Sequence, residues 1–502
     1  MTKLLLICDG IGRIRRMNKT SCNWLYQLAW AGVCIGFSTI GLTQTPVAGP
    51  DPHEIPVPTI KTALGTMPGV DRLPVRPELP DILTMNDGTR VRTPAQWTKR
   101  REEMKKILEY YATGLMPPPP GNVQGTEMHS ELVLDGKVKY RLVKLTFGPD
   151  RKLELYIGIW APTDAKGPLP AIISQSPEPP GGPILAASGP GPNQGKGEDV
   201  LMMVGHGTAG PVAARSFPAL TAEAVAKARQ EVFRRGYALV TYNDNDCAED
   251  TTLREADGSF TFRHTRFYPA YPGYDWGILA GWAWGASRVA DYLVTDAAID
   301  KTKLFITGAS RAGKSALIAA AFDDRLMGAP VVTGGGGIGA YRFAGADNSE
   351  TLDMMEKKYP NWFSPNLHEF WGQREKLPFD EHWFLALCAP RPFLALEGNA
   401  DTISLPTAVE ASFKAAMPAY ELLGARDHLG VHYSHHAHAF TDEDWTALMD
   451  FSDKYVRKMP LAETFDRFLT MDERAAAVAA AKTANPVRRI DPANPMPGAP
   501  PR

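Results

Sequence analysis

The stretch Lys303-Leu-Phe-Ile-Thr-Gly308-Ala309-Ser310-Arg311-Ala312-Gly313-Lys314-Ser315 constrains this chain more than any other. A short apolar run enters a cluster of small residues, and the alanine-rich segment 315–322 leaves it. That pattern predicts a buried strand, a tight turn and a helix packed close behind it. Two chemistries use such a junction. In one, Ser310 rides a sharp strand-to-helix turn that lifts its hydroxyl above the sheet edge as a nucleophile, and backbone N–H groups of the helix start face a developing oxyanion. The spacing departs from G-x-S-x-G because Ala312 stands at the last glycine. In the other, residues 308–315 match G-x-x-x-x-G-K-[ST], a loop whose N–H groups cradle phosphates. Context favours the nucleophile. A phosphate loop normally follows the first strand of its domain, whereas several strand patterns precede this one. The later apolar run 393–396 ends in Glu397, a poor magnesium ligand beside the usual Asp.

A cationic start, an apolar middle and a breaker-rich end make residues 1–48 an expected export signal. Arg13, Arg15, Arg16 and Lys19 precede the apolar stretch 25–42, and Pro46, Pro50 and Pro52 follow; Met17 is a second candidate start. The expected location is secreted or periplasmic, with no membrane association after cleavage, where nucleoside triphosphates are scarce. Formal net charge is -2. With no basic excess, binding to nucleic acid by phosphate neutralisation is not expected. Cys247 and Cys388 are the two cysteines beyond the signal, too few and too isolated for a zinc pattern.

Beyond the signal, residues 49–90 are Pro-rich and read as an extended arm or linker. Helix patterns cover 95–113, 219–235, 277–294, 315–322, 407–416, 442–457 and 472–481; strand patterns cover 140–147, 153–160, 169–174, 237–242, 304–307, 329–333, 393–397 and 430–433. Short apolar strands alternating with helices predict a three-layer α/β sandwich with a mostly parallel central sheet. We assign 91–458 to this domain and 459–502 to a further helix and a Pro-rich tail.

A nucleophilic serine needs a base and an acid. In the α/β-hydrolase order both follow the serine, each after a later strand. Asp401 stands in the loop after the strand 393–397; His432 lies in the strand at 430–433, and His435, His436 and His438 follow it. An Asp there would orient an imidazole that takes the serine proton. His436 and His438 both remain open for that role on order alone. Four histidines in seven residues of one loop rarely converge on one ion, so no metal site is expected.

Several segments now resemble one family. The helix from Asp275-Trp276-Gly277, the elbow Gly308-Ala-Ser310-Arg311-Ala-Gly313-Lys314, the approach Pro378-Phe-Asp-Glu-His382-Trp and the segment His438-Ala-Phe-Thr-Asp-Glu-Asp444-Trp445 are similar to those of glucuronoyl esterases. These carbohydrate esterases are α/β-hydrolases that cleave 4-O-methyl-glucuronoyl esters between xylan and lignin alcohols. The resemblance spans about residues 90–458, accounts for the absent second glycine and selects His438 over His436. It implies Ser310, His438 and Asp401 as the triad, Arg311 as oxyanion support, and Lys314 and Glu350 as contacts to substrate hydroxyls. It also implies a Ser-His-Asp acyl-enzyme mechanism on a glucuronoxylan or lignin–carbohydrate ester, no cofactor and a monomer.

Two departures bear on substrate. The run Val331-Val332-Thr333 carries no carboxylate where many members have their acid, which leaves Asp401, the position used by bacterial members. Ile403 stands where members of that kind often carry a substrate-contacting Trp. An acetylxylan esterase is therefore the near alternative. A P-loop nucleotide-binding protein and a catalytically inert carbohydrate-binding relative are the more distant ones.

Overall fold

The central sheet has nine strands in the order β1-β2-β3-β5-β4-β6-β7-β8-β9. They are β1 Gln124–Val133, β2 Val138–Phe147, β3 Leu153–Pro162, β4 Leu169–Ser176, β5 Ala238–Asn243, β6 Ile299–Thr307, β7 Leu326–Gly328, β8 Phe393–Gly398 and β9 Leu429–Ser434. The computed structural model describes residues 67–176, 221–331, 337–343, 349–461 and 464–484. The expected signal, the first part of the Pro-rich arm, the loop after β4, residues 332–336 and the C-terminal tail lie outside them.

From β5 to β9 the pairing is parallel, whereas β1, β2, β3 and β5 pair antiparallel. The parallel strands read as continuous apolar runs because helices cover both faces. All six residues of β8 are buried. The edge strand β1 is largely solvated on one side and mostly polar, so its apolar signal is faint. The strand expected over 329–333 is displaced: β7 ends at Gly328, and Val331 makes only single bridges to Ala309 and Leu396.

Two helices position the site. Helix α1, Ile278–Leu293, is buried along its whole length and packs against α2, Arg311–Phe322. Helix α2 begins immediately after Ser310 rather than at Ser315. Two more helices, α3 Pro406–Leu422 and α4 Asp442–Arg457, flank β8 and β9. The chain then adds α5, Met471–Ala484, where 472–481 was expected to be helical.

Neither end of the described chain hangs free. In the Pro-rich arm, Arg76 N–H donates to the Glu375 carbonyl (2.7 Å) and the Pro80 carbonyl lies 2.8 Å from His382 Nε2. After α4, Val431 N–H donates to the Phe465 carbonyl (2.8 Å), and Phe465 and Phe468 pack edge-on against Phe451 and Phe413. Cys247 and Cys388 are separate buried thiols. Among the described residues no helix is long and apolar enough to cross a membrane.

Candidate active site

Ser310 sits between β6 and α2 with φ 54° and ψ -119°. Few non-glycine residues adopt this backbone, which costs about 1–3 kcal/mol and persists only where the surroundings enforce it. Here they do. Ser310 N–H donates to the Val331 carbonyl (3.0 Å), Val331 N–H returns a bond to Gly308 (2.9 Å), and the Ser310 carbonyl accepts from Lys314 N–H (2.8 Å). A Cβ at Gly308 would meet the Ala312 carbonyl oxygen at 2.8 Å, and one at Gly313 would meet the Val331 carbonyl oxygen at 2.3 Å. The second close approach thus falls at Gly313, one residue past the usual glycine, and Ala312 is tolerated.

The first turn of α2 is tied down from the sheet. Gln175, at the end of β4, donates to the Ala312 carbonyl (3.1 Å) and accepts from Tyr242 (2.6 Å) and Ser315 (3.2 Å). Ser315 and Lys314, which a phosphate loop would turn toward magnesium and phosphate, both face inward. Lys314 is 1 % exposed, and its Nζ lies 2.7 Å from Glu350 Oε2. That arrangement leaves no phosphate cradle.

Asp401 follows β8 and is buried. His438 Nδ1 lies 2.7 Å from its Oδ2, while Oδ1 accepts from Ile403 N–H (3.0 Å). The carboxylate fixes Nδ1 as the protonated nitrogen, so Nε2 carries the lone pair. His436 is taken elsewhere: its Nε2 lies 2.9 Å from Asp444 Oδ2 and its Nδ1 lies 2.7 Å from the Ala437 carbonyl. Burial opposes a charge on His436, but the Asp444 carboxylate outweighs it and raises the pKa. His435 pairs with Glu443, and His432 stays in β9 beside Phe465. The four histidines thus face separate partners. Among the described residues no group of three or more His, Cys, Asp or Glu side chains is placed to hold a metal ion.

The six residues singled out in the sequence fall into three pairs. Ser310 and Arg311 share the turn, Asp401 and His438 form a pair, and Lys314 and Glu350 form another. Backbone contacts link the last two sets, because Glu350 N–H donates to the Ile403 carbonyl (2.9 Å). Sequence reasoning missed the partners of Arg311. Its guanidinium pairs with Asp250 and lies over the rings of Tyr359 and Trp362, at 5.5 and 5.2 Å from their centroids. Nothing local marks Asp250, one of several acids in the loop after β5. A cavity of about 370 Å³ among Phe260, Phe262, Arg263, Asn361 and His368 includes none of the six.

The chain is similar to known carbohydrate esterases. A family profile described as "Glucuronyl esterase, fungi" matches residues 200–424. The carbohydrate esterase MZ0003, from an unknown prokaryotic organism, is 27% identical over 75% of this chain and 89% of its own length. The 4-O-methyl-glucuronoyl methylesterase of Hypocrea jecorina (strain QM6a) is 28% identical over 78% of this chain and 72% of its own. The solved glucuronoyl esterase from Solibacter usitatus superimposes with a TM-score of 0.60 at 25% identity, covering 76% of this chain and 98% of that one. The chain is similar to glucuronoyl esterases over about three quarters of its length. The fold is an α/β-hydrolase, shared with the esterases on which it superimposes, and the antiparallel strands β1 to β3 form one edge of its sheet.

Proposed function

We propose that this protein is an exported serine esterase that hydrolyses 4-O-methyl-glucuronoyl esters joining xylan to lignin alcohols. The observation that carries the reading is Ser310, a non-glycine residue held at positive φ on the β6–α2 turn. The ordered His438–Asp401 pair and the names of the family relatives support it.

In this mechanism His438 Nε2 takes the Ser310 hydroxyl proton as Oγ adds to the ester carbonyl. The tetrahedral oxyanion is met by backbone N–H groups at the start of α2 and by the Arg311 guanidinium. Collapse expels the alcohol, which leaves with the proton from His438, and an acyl-enzyme remains. Water, deprotonated by the same imidazole, adds to the acyl carbon and releases the uronic acid and free Ser310. The Asp401 carboxylate orients the ring and balances the imidazolium. Lys314 and Glu350 meet hydroxyls of the sugar whose carboxyl is esterified.

Ser310→Ala tests the chemistry: ester hydrolysis should fall by about 10³-fold or more with the fold intact. Retained turnover of a model ester would remove the reading. Substrate class is tested by comparing benzyl glucuronate with acetylated xylan. The second reading, an acetylxylan esterase, rests on aliphatic Ile403, which cannot stack on a sugar ring as Trp does. Faster deacetylation than uronate release would favour it.

A further inference from the structure

We infer that Asp250 is the positioning residue of the oxyanion site: it holds the Arg311 guanidinium in place through a closed ring of contacts with Trp362 and Tyr359. The inference rests on the proposed role of Arg311 and adds to it a residue that acts through that side chain.

The contacts close on themselves. Asp250 Oδ2 pairs with Arg311 Nη1, and Asp250 Oδ1 accepts from Trp362 Nε1–H at 2.9 Å. The Trp362 ring lies flat on Tyr359, with centroids 3.9 Å apart and planes 3° apart. Both rings lie within cation–π reach of the guanidinium carbon. Asp250 and Tyr359 each touch two of the other groups, and Arg311 and Trp362 each touch three.

This arrangement answers a physical difficulty. An arginine side chain carries about 2 kcal/mol of rotamer entropy, and 24% of the Arg311 side chain is exposed. Unrestrained, it would sweep through solvent, and a mobile cation stabilises a developing oxyanion poorly, because the benefit of such a group lies in being placed beforehand. Asp250 is 8% exposed and the indole 2%, so the holding side of the ring is dry and its contacts are strong. The bond to Asp250 engages one terminal nitrogen of a guanidinium that has five N–H donors. A neighbouring acid adds support. Burial, and then Asp250, push the Asp244 carboxyl up to about 8, although Arg311 pulls the other way. At neutral pH Asp244 therefore keeps its proton and does not compete with Asp250 for the guanidinium.

The test is a double-substitution cycle on the full chain with a glucuronate ester. Asp250→Ala should lower kcat at least about tenfold while KM stays within about twofold, because the ring acts on the transition state. In an Arg311→Ala background the same substitution should cost less than about twofold, since nothing remains to position. Asp250→Asn, which keeps an acceptor, should recover part of the loss. Trp362→Phe removes the indole N–H but not the ring; it should give a smaller kcat loss that also vanishes without Arg311, and it serves if Asp250→Ala does not fold. Wild-type kcat in Asp250→Ala alongside a dead Ser310→Ala would overturn the inference and leave the esterase reading standing. Losses at Asp250 and Arg311 that multiply would overturn it as well. Activity surviving in Ser310→Ala would instead defeat the underlying reading.

Discussion

Asp401 divides its two oxygens, one for the proposed catalytic base His438 and one for the Ile403 backbone. Asp401→Asn keeps the acceptor for Ile403 but can present an amide N–H to His438 Nδ1 and favour the wrong tautomer. We expect kcat to drop by about 10³–10⁴-fold with the melting temperature nearly unchanged. An active Asp401→Asn enzyme would assign the acid role to another carboxylate. Lys314 and Glu350 behave as a unit, because each is the buried counter-charge of the other. Lys314→Met or Glu350→Leu alone should cost about 3–5 kcal/mol in urea unfolding, whereas the double substitution should cost much less. Additive losses would show that the pair is not coupled. Asp244 supplies a pH signature. Its carboxyl is raised from 3.8 to about 8, so between those values the folded protein holds a proton that the unfolded chain lacks, and stability falls as pH rises. Asp244→Asn removes that slope: its melting temperature should gain on wild type from pH 5 to pH 8, and parallel curves would contradict this. The candidate triad was legible because each proposed member follows its own strand in a fixed order. Asp250 was not, since it meets Arg311 across 61 residues and shares its loop with Asp244, Asp246 and Asp257.

At the scale of elements, the parallel strands other than β7, with α1, α2 and α4, declared themselves through apolar runs and periodicity. Strand β1 did not, because an edge strand with one solvated face carries few apolar residues. The expected strand at 329–333 failed for a different reason: Val331 is recruited by the Ser310 turn and by Leu396, so its pairing follows the elbow rather than a ladder. Helix α5 was foreseen, but not its contact, which the sequence cannot announce. Arg474 Nη2 donates to the Thr402 carbonyl at 3.0 Å, bracing the Asp401 loop from a helix about seventy residues later. Ending the chain at residue 458 should therefore impair catalysis as well as stability. Phe465→Ala isolates the packing part, with a loss of about 3 kcal/mol. Arg474→Ala should lower kcat several-fold at a nearly constant melting temperature. An equal loss of stability in both variants would make the segment a packing element only.

Across the whole molecule, the described body extends beyond the boundaries that composition suggested. Proline-rich stretches read as linkers because they lack periodicity, yet their carbonyls are ready acceptors. Those of Arg76, Pro80 and Ile82 are taken by Arg342, by His382 and by Arg100. Burial holds His382 down at about 4, so it stays neutral at ordinary pH. A chain begun at residue 91 would strip partners from buried Arg342 and His382, and we expect it to be insoluble or to melt well below one begun at residue 67. Equal melting temperatures would return the arm to the status of a tether.

Ile403 has one further consequence. Its N–H holds the Asp401 carboxylate and its carbonyl holds the segment bearing Glu350, so the main chain at this position is fully committed. Its side chain has no share in either bond. The position thus separates machinery from appetite: replacing what the side chain offers a substrate leaves the wiring of the acid untouched. Drift in diet can begin here without passing through a dead enzyme, and directed evolution of new ester preferences should find its first gains at residue 403.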